Sequence, residues 1–370
     1  MAGDYLADPG GVHNENRPVK SCFGCGRMNG DEAKFCRYCD TEYLPRLKRG
    51  TPLPVNVPPF IDPLTALARF NMGFAMVEGF ARPDWNFIAD YVRKNIAPKD
   101  LGPAWDFVAK RWLTQLAHDL GGEAKVYQSD NILCVSDRKA ATVRTLLTYA
   151  ESALKTIRSA LKEAAWRGFN GKHVLLIFPD EEKYFSYISY YYPDGTHAMT
   201  RGVFIRAGYV HIAIPVDDML STKNTLMHEL VHNLLFHLPI PLWLNEGLAV
   251  FIEKRMNRLA QPLNQEMADK HHGYWNHQTI QEFWTGQSFH QLGEGCPLSY
   301  SLGRILVTLM TEKGQDFITF ITKANRRDAG QSAALEILKC NLGDVAGQFL
   351  GPGDWSPKQE IIDGYFKKKV

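Results

Sequence analysis

From residue 64 to residue 120 apolar positions recur every three or four residues. The spacing predicts three helices: LTALARFNMGFAMVEGF, DWNFIADYVRKNIA and AWDFVAKRWLTQLAHDL, the last closed by Gly121 and Gly122. From about residue 124 the period changes. VYQSDNILCVS, HVLLIFP, GVFIRAG and YVHIAIP read as short strands, with one long helix from Arg138 to Trp166 between the first two. In YVHIAIP the alternation puts Val210, Ile212 and Ile214 on a core face and Tyr209, His211 and Ala213 on an open one, as expected of a strand at a sheet edge. Beyond Pro215 the pattern is helical, at 222–236, 243–258, 299–312, 315–323 and 331–340. The expectation is an α+β protein with a small mixed sheet and a helical carboxy-terminal part.

The 370 residues allow one large domain with an appendage. Charge is nearly balanced, with 42 basic and 40 acidic side chains and 45% apolar residues, so nothing in the composition points to disorder or to a strongly electrostatic partner. No run is long and apolar enough to span a membrane, and MAGDYLADPGGVHNENRPVK lacks a signal-peptide core, which predicts a cytoplasmic protein. Residues 1–20 read as a flexible tail. Six prolines in EYLPRLKRGTPLPVNVPPFIDP make an extended linker of 43–62, followed by a helical preamble at 63–122, a main domain at 123–350 and a tail at 351–370.

Four of the seven cysteines, Cys22, Cys25, Cys36 and Cys39, form two C-x-x-C knuckles ten residues apart. Two such knuckles supply four thiolates to one tetrahedral zinc and leave no position for water, so residues 21–42 read as a zinc ribbon with a structural ion. Residues 1–50 carry almost equal numbers of basic and acidic side chains. That makes a protein partner a better match for the ribbon than nucleic acid.

The segment TLMHELVHNLLFHLPIPLWLNEGLAVFIEK, 225–254, sets three histidines and three glutamates into an apolar stretch. On a helix His228 and His232 lie about 40° apart, one turn above the other, so both imidazoles can reach one ion. Glu229 flanks that face and could touch a water on the same ion. His237 falls about 140° around the helix from His232 and does not suit as third ligand. Glu246 does: Pro239 and Pro241 end one helix and open the next, which returns Glu246 over the histidines, with Gly247 giving room where two helices approach closely. Glu253, two turns further, reads as an ordinary exposed residue.

HELVH followed by PLWLNEGLA resembles the gluzincin metallopeptidases, in particular peptidase MA-like domains. The resemblance is close over the helix pair and extends in texture from about 124 to 312. It implies a zincin-like core and peptide-bond hydrolysis, with a catalytic zinc on His228, His232 and Glu246 and with Glu229 as base. Two departures stand out. Val250 occupies the place where a thermolysin-like site has an acidic residue orienting a histidine, and the G-x-M-E-N segment of related aminopeptidases does not occur. In SYSLGRILV, Tyr300 and Arg304 share a helix face, and Tyr300 is the candidate donor to the transition state. The expected partner is a peptide or protein substrate. A second reading is a silent adaptor whose ribbon docks a protein or nucleic-acid partner.

Overall fold

The computed structural model describes residues 19–21, 28–30, 33, 72–166, 171–193, 201–256 and 264–368. The four knuckle cysteines and the proline-rich segment lie outside them. Val19–Ser21 (β1) pairs antiparallel with Met28–Gly30 (β2).

The first predicted helix is replaced, in its described half, by a hairpin of Ala75–Val77 (β3) and Phe80–Arg82 (β4). Glu78 and Gly79 take φ values of 51° and 78°. Positive φ at both central residues is the turn that matches the twist of two antiparallel strands. Burial of Phe80, Ala81 and Arg82 then overrides the helical spacing. The other two helices form as expected, at Trp85–Asn95 (α1) and Leu101–Leu120 (α2), and Gly121 ends α2 at φ 73°.

Lys125–Gln128 (β5), Ile132–Ser136 (β6), His173–Ile177 (β7), Val203–Ile205 (β8) and His211–Ile214 (β9) form one mixed sheet in the order β5-β6-β7-β9-β8. β6, β7 and β9 run parallel, while β5 and β8 are antiparallel to their neighbours. The connection from β6 to β7 passes through the helix Ala140–Leu161 (α3), whose Val143, Leu147, Ala150, Leu154, Ile157 and Leu161 keep a helical spacing on its buried face. Glu181–Ser189 (α4) follows β7.

The alternation read in YVHIAIP is correct in period and wrong in environment. Val210, Ile212 and Ile214 enter one core with α3, while Tyr209 and Ala213 enter a second core built from α1, α2 and α4. No face of β9 is open, because α2 covers the side left to solvent in the sequence reading. His211 is completely buried. Nor is β9 the edge: β8 is. Trp112 of α2 packs edge-on to His211 at 5.1 Å between ring centroids. A tryptophan so placed typically carries about 3–5 kcal/mol against truncation to alanine, which makes α2 part of the sheet's own core.

Across the other face lies the helical part: Met219–Leu235 (α5), Leu242–Met256 (α6), Gln265–Tyr274 (α7), Thr279–Thr285 (α8), Gly295–Met310 (α9) and Gln315–Lys323 (α10). The chain then passes through Gln331–Ala333 and a π-helical Ala334–Leu338 to Leu342–Leu350 (α11) and Gln359–Lys368 (α12). Residues 351–368 do not simply trail away. Ile362 is buried, Trp284 Nε1 donates to the Trp355 carbonyl, and Gln281 binds Ser356 and Lys358 through their backbones. No helix among the described residues is long and apolar enough to cross a membrane.

Candidate metal centre

Helix α5 starts at Asp218, whose side chain accepts hydrogen bonds from the Leu220 and Ser221 amides and so satisfies donors that a helix start leaves open. Leu226, Leu230 and Leu234 bury one face of α5 in the core. His228 and His232 occupy the flank that meets α6. Pro241 begins the return, with the Leu244 and Asn245 amides donating to its carbonyl. Trp243 anchors the first turn of α6 by donating from Nε1 to the Ala329 carbonyl at 2.9 Å.

The close approach expected at Gly247 does occur, but toward α9 rather than α5. A Cβ on Gly247 would lie 2.5 Å from the Gly303 carbonyl oxygen, and one on Gly303 would lie 2.8 Å from the Trp243 oxygen. Both contacts are to backbone, so the helices touch main chain to main chain. This places Tyr300, one turn before Gly303, beside Glu246.

The two imidazoles stand 4.8 Å apart between centroids, at 78°. One oxygen of Glu246, Oε2, lies 3.2 Å from His228 Nε2 and 3.4 Å from His232 Nε2. The three donor atoms fall within 4.8 Å of one another, and the group could hold a metal ion. Zinc bound at about 2.0–2.1 Å in a tetrahedron needs donors about 3.3 Å apart, so the two nitrogen-to-oxygen separations fit. Nitrogen and carboxylate donors suit zinc as well.

Electrostatics tie the group together. Burial pulls the His228 pKa down, but hydrogen bonds to Glu246 and Glu253 and the charges of Glu246 and Glu229 outweigh it and carry the pKa to about 10. Burial would raise Glu246, yet the charge of His232 and the hydrogen bonds from both histidines hold it well below the usual carboxylate range. Glu229, 7% exposed, is raised above the ordinary value by burial, against the pull of His232 and His228. Its carboxylate also takes a hydrogen bond from the Phe204 amide of β8. The glutamate thus lies between the histidine group and the sheet edge. Gly202, at the entry to β8, brings that edge against α5, where a Cβ would meet the Thr225 methyl at 2.4 Å.

No family model and no curated protein matches the chain.

Tyr300 sits 6.5 Å from His228 between ring centroids and edge-on to Phe289 at 5.2 Å. The charge of Glu246, then burial, push its hydroxyl pKa far up, so the phenol stays a neutral donor. His237 turns away and stacks near Trp166 at 4.7 Å, in line with its rejection as a ligand. Glu253 departs from the sequence reading. Its side chain is 21% exposed, and Oε2 lies 3.3 Å from His228 Nδ1. The available signal was its position seven residues after Glu246, which on a helix returns to within about 20° of the same face.

Proposed function

We propose that the chain is a zinc-dependent peptidase with a zincin-like core, in which His228, His232 and Glu246 hold the metal. The observation that carries the reading is the convergence of these three side chains with a buried Glu229 tied to the edge strand. Bound zinc supplies Lewis acidity to a peptide carbonyl and lowers the pKa of water to about 7. Glu229 takes the proton from the attacking water and returns it to the departing amine, acting as base and then as acid. Tyr300, held neutral, donates to the carbonyl oxygen as charge develops there. β8 offers its backbone to an extended peptide, which would lie across the metal group as an added strand. In the same reading Cys22, Cys25, Cys36 and Cys39 hold a structural zinc, their ribbon docks a protein partner, and the protein works in the cytoplasm.

The test is a proteome-wide cleavage comparison of wild type with Glu229→Gln, with metal content measured on both. The expected result is loss of cleavage by a factor of about 10²–10⁴ with zinc retained. Equal cleavage of an authentic substrate by the variant would remove Glu229 from the mechanism.

A further inference from the structure

The two histidines of the metal group are not held alike. His228 is gripped at both ring nitrogens: Nε2 faces Glu246 at 3.2 Å and Nδ1 faces Glu253 at 3.3 Å. His232 meets Glu246 through Nε2, while its Nδ1 is buried without a hydrogen-bond partner among the described residues. Glu246 and Glu253 lie on one face of α6, about 10.5 Å apart along its axis, and His228 reaches in from α5 to span the gap.

We infer that Glu253 is the positioning residue that fixes the ring orientation and tautomer of His228 for metal binding, an inference that rests on the peptidase reading of this site. An ionised carboxylate only accepts hydrogen bonds, so a ring paired with Glu253 keeps its proton on Nδ1. With Nδ1 turned to Glu253, the ring presents Nε2 toward Glu246, the side from which it would ligate a metal. The same pairing makes the imidazole a stronger donor, and partners of this kind typically change metal affinity by about 10- to 100-fold. Helix geometry explains why the residue sits seven positions after the ligand and not four. Four residues advance the helix by about 40°, seven by about −20°, and the place four residues on is occupied by Val250. In this chain the orienting acid has moved one turn along the same helix.

The experiment is a cobalt(II) titration of the full-length chain followed by zinc competition. A histidine and carboxylate site shows visible d–d bands without thiolate charge-transfer bands, so metal on cysteines is read separately. Glu253→Ala should weaken cobalt and zinc at the histidine site about 10- to 100-fold, and Glu253→Gln, which keeps an acceptor for Nδ1–H, should recover most of that loss. Folding of each variant is checked by thermal unfolding in chelator. If Glu253→Ala fails to fold, Glu253→Met, of similar length and without an acceptor, takes its place. Affinity within twofold of wild type in the folded Ala or Met variant would overturn the positioning role, as would a Gln variant as weak as Ala. A wild-type chain that gives no d–d bands would instead defeat the peptidase reading, and the two failures are distinct.

Discussion

On opposite faces of one sheet the fold encloses two histidines, one partly and one fully, that behave as opposites. His228 lies between two carboxylates on the α5 side, and its pKa climbs to about 10 against the pull of burial. His211 lies on the α2 side with no exposed surface. Its Nδ1–H donates to the Tyr209 carbonyl at 2.6 Å, and its Nε2 accepts from the Tyr187 hydroxyl at 2.9 Å. Burial, with the repulsion of the Arg82 guanidinium, takes its pKa to about 3, although the Tyr209 carbonyl works the other way. Arg82 is itself buried, stacked 4.2 Å from the Tyr187 ring, and gives one hydrogen bond to the Tyr187 carbonyl. His228 keeps 17% of its side chain exposed and His211 none, yet burial pulls both pKa values down. The partners decide: phenols, a carbonyl and a cation fix a neutral ring with both nitrogens spent, whereas acids keep a ring charged until a metal replaces its proton.

Removing the acid is the largest way to break this contrast. Glu246→Gln takes away the negative charge shared by both rings, and zinc affinity at the histidine site should fall by at least about a hundredfold, read by chelator competition in full-length protein.

The pH dependence of the metal-free protein sharpens the same contrast, because the two rings act with opposite sign. A folded pKa raised to about 10 means that the stability from His228 is fully present below the unfolded value near 6.5 and drains away as pH rises toward 10. A folded pKa lowered to about 3 means that His211 costs nothing above 6.5 and costs stability as pH falls from 6.5 toward 3, where the unfolded chain takes up a proton that the fold refuses. Each slope is bounded by one proton, about 1.4 kcal/mol per pH unit. Urea unfolding in chelator across about pH 4–10 should show both limbs; Glu246→Gln should flatten the alkaline one and, because the Glu246 carboxyl is held well below the usual range in the fold, also remove part of the acid one near 4.5 and below.

His211→Phe is the smallest change. It removes the titrating ring but leaves the Tyr187 hydroxyl without its histidine partner, for a loss of about 1–3 kcal/mol at neutral pH. It should also reduce the acid limb by one proton's share, leaving the shares of buried His173 and His271, each lowered to about 4, and leave zinc affinity unchanged. A drop in zinc affinity would mean that the two pockets communicate through the sheet.

The same pair shows what a sequence conveys. His228, His232 and Glu246 were legible because metal binding demands a residue type at a helical interval, and helix geometry is local. Glu253 was not, although it lies on the same face as Glu246, because a glutamate near a helix end is ordinarily solvated and its role depends on where α5 crosses. The period of β9 could be read, but the layer covering it could not: whether Tyr209, His211 and Ala213 meet water depends on α2, almost a hundred residues earlier. The hairpin at 75–82 was missed because apolar spacing outvoted the Glu78–Gly79 turn. Of the glycines, Gly247 was recognised as a contact point, but its true neighbour, Gly303, lies beyond two further helices.

That pair of glycines also governs how the molecule can accommodate different guests. With main chains in direct contact, the helix carrying Glu246 and the one carrying Tyr300 form one rigid block, and neither can shift without dragging its companion. Under the peptidase reading, any adjustment to the bulk of a bound chain would fall to the opposite side, along β8 where Gly202 meets Thr225.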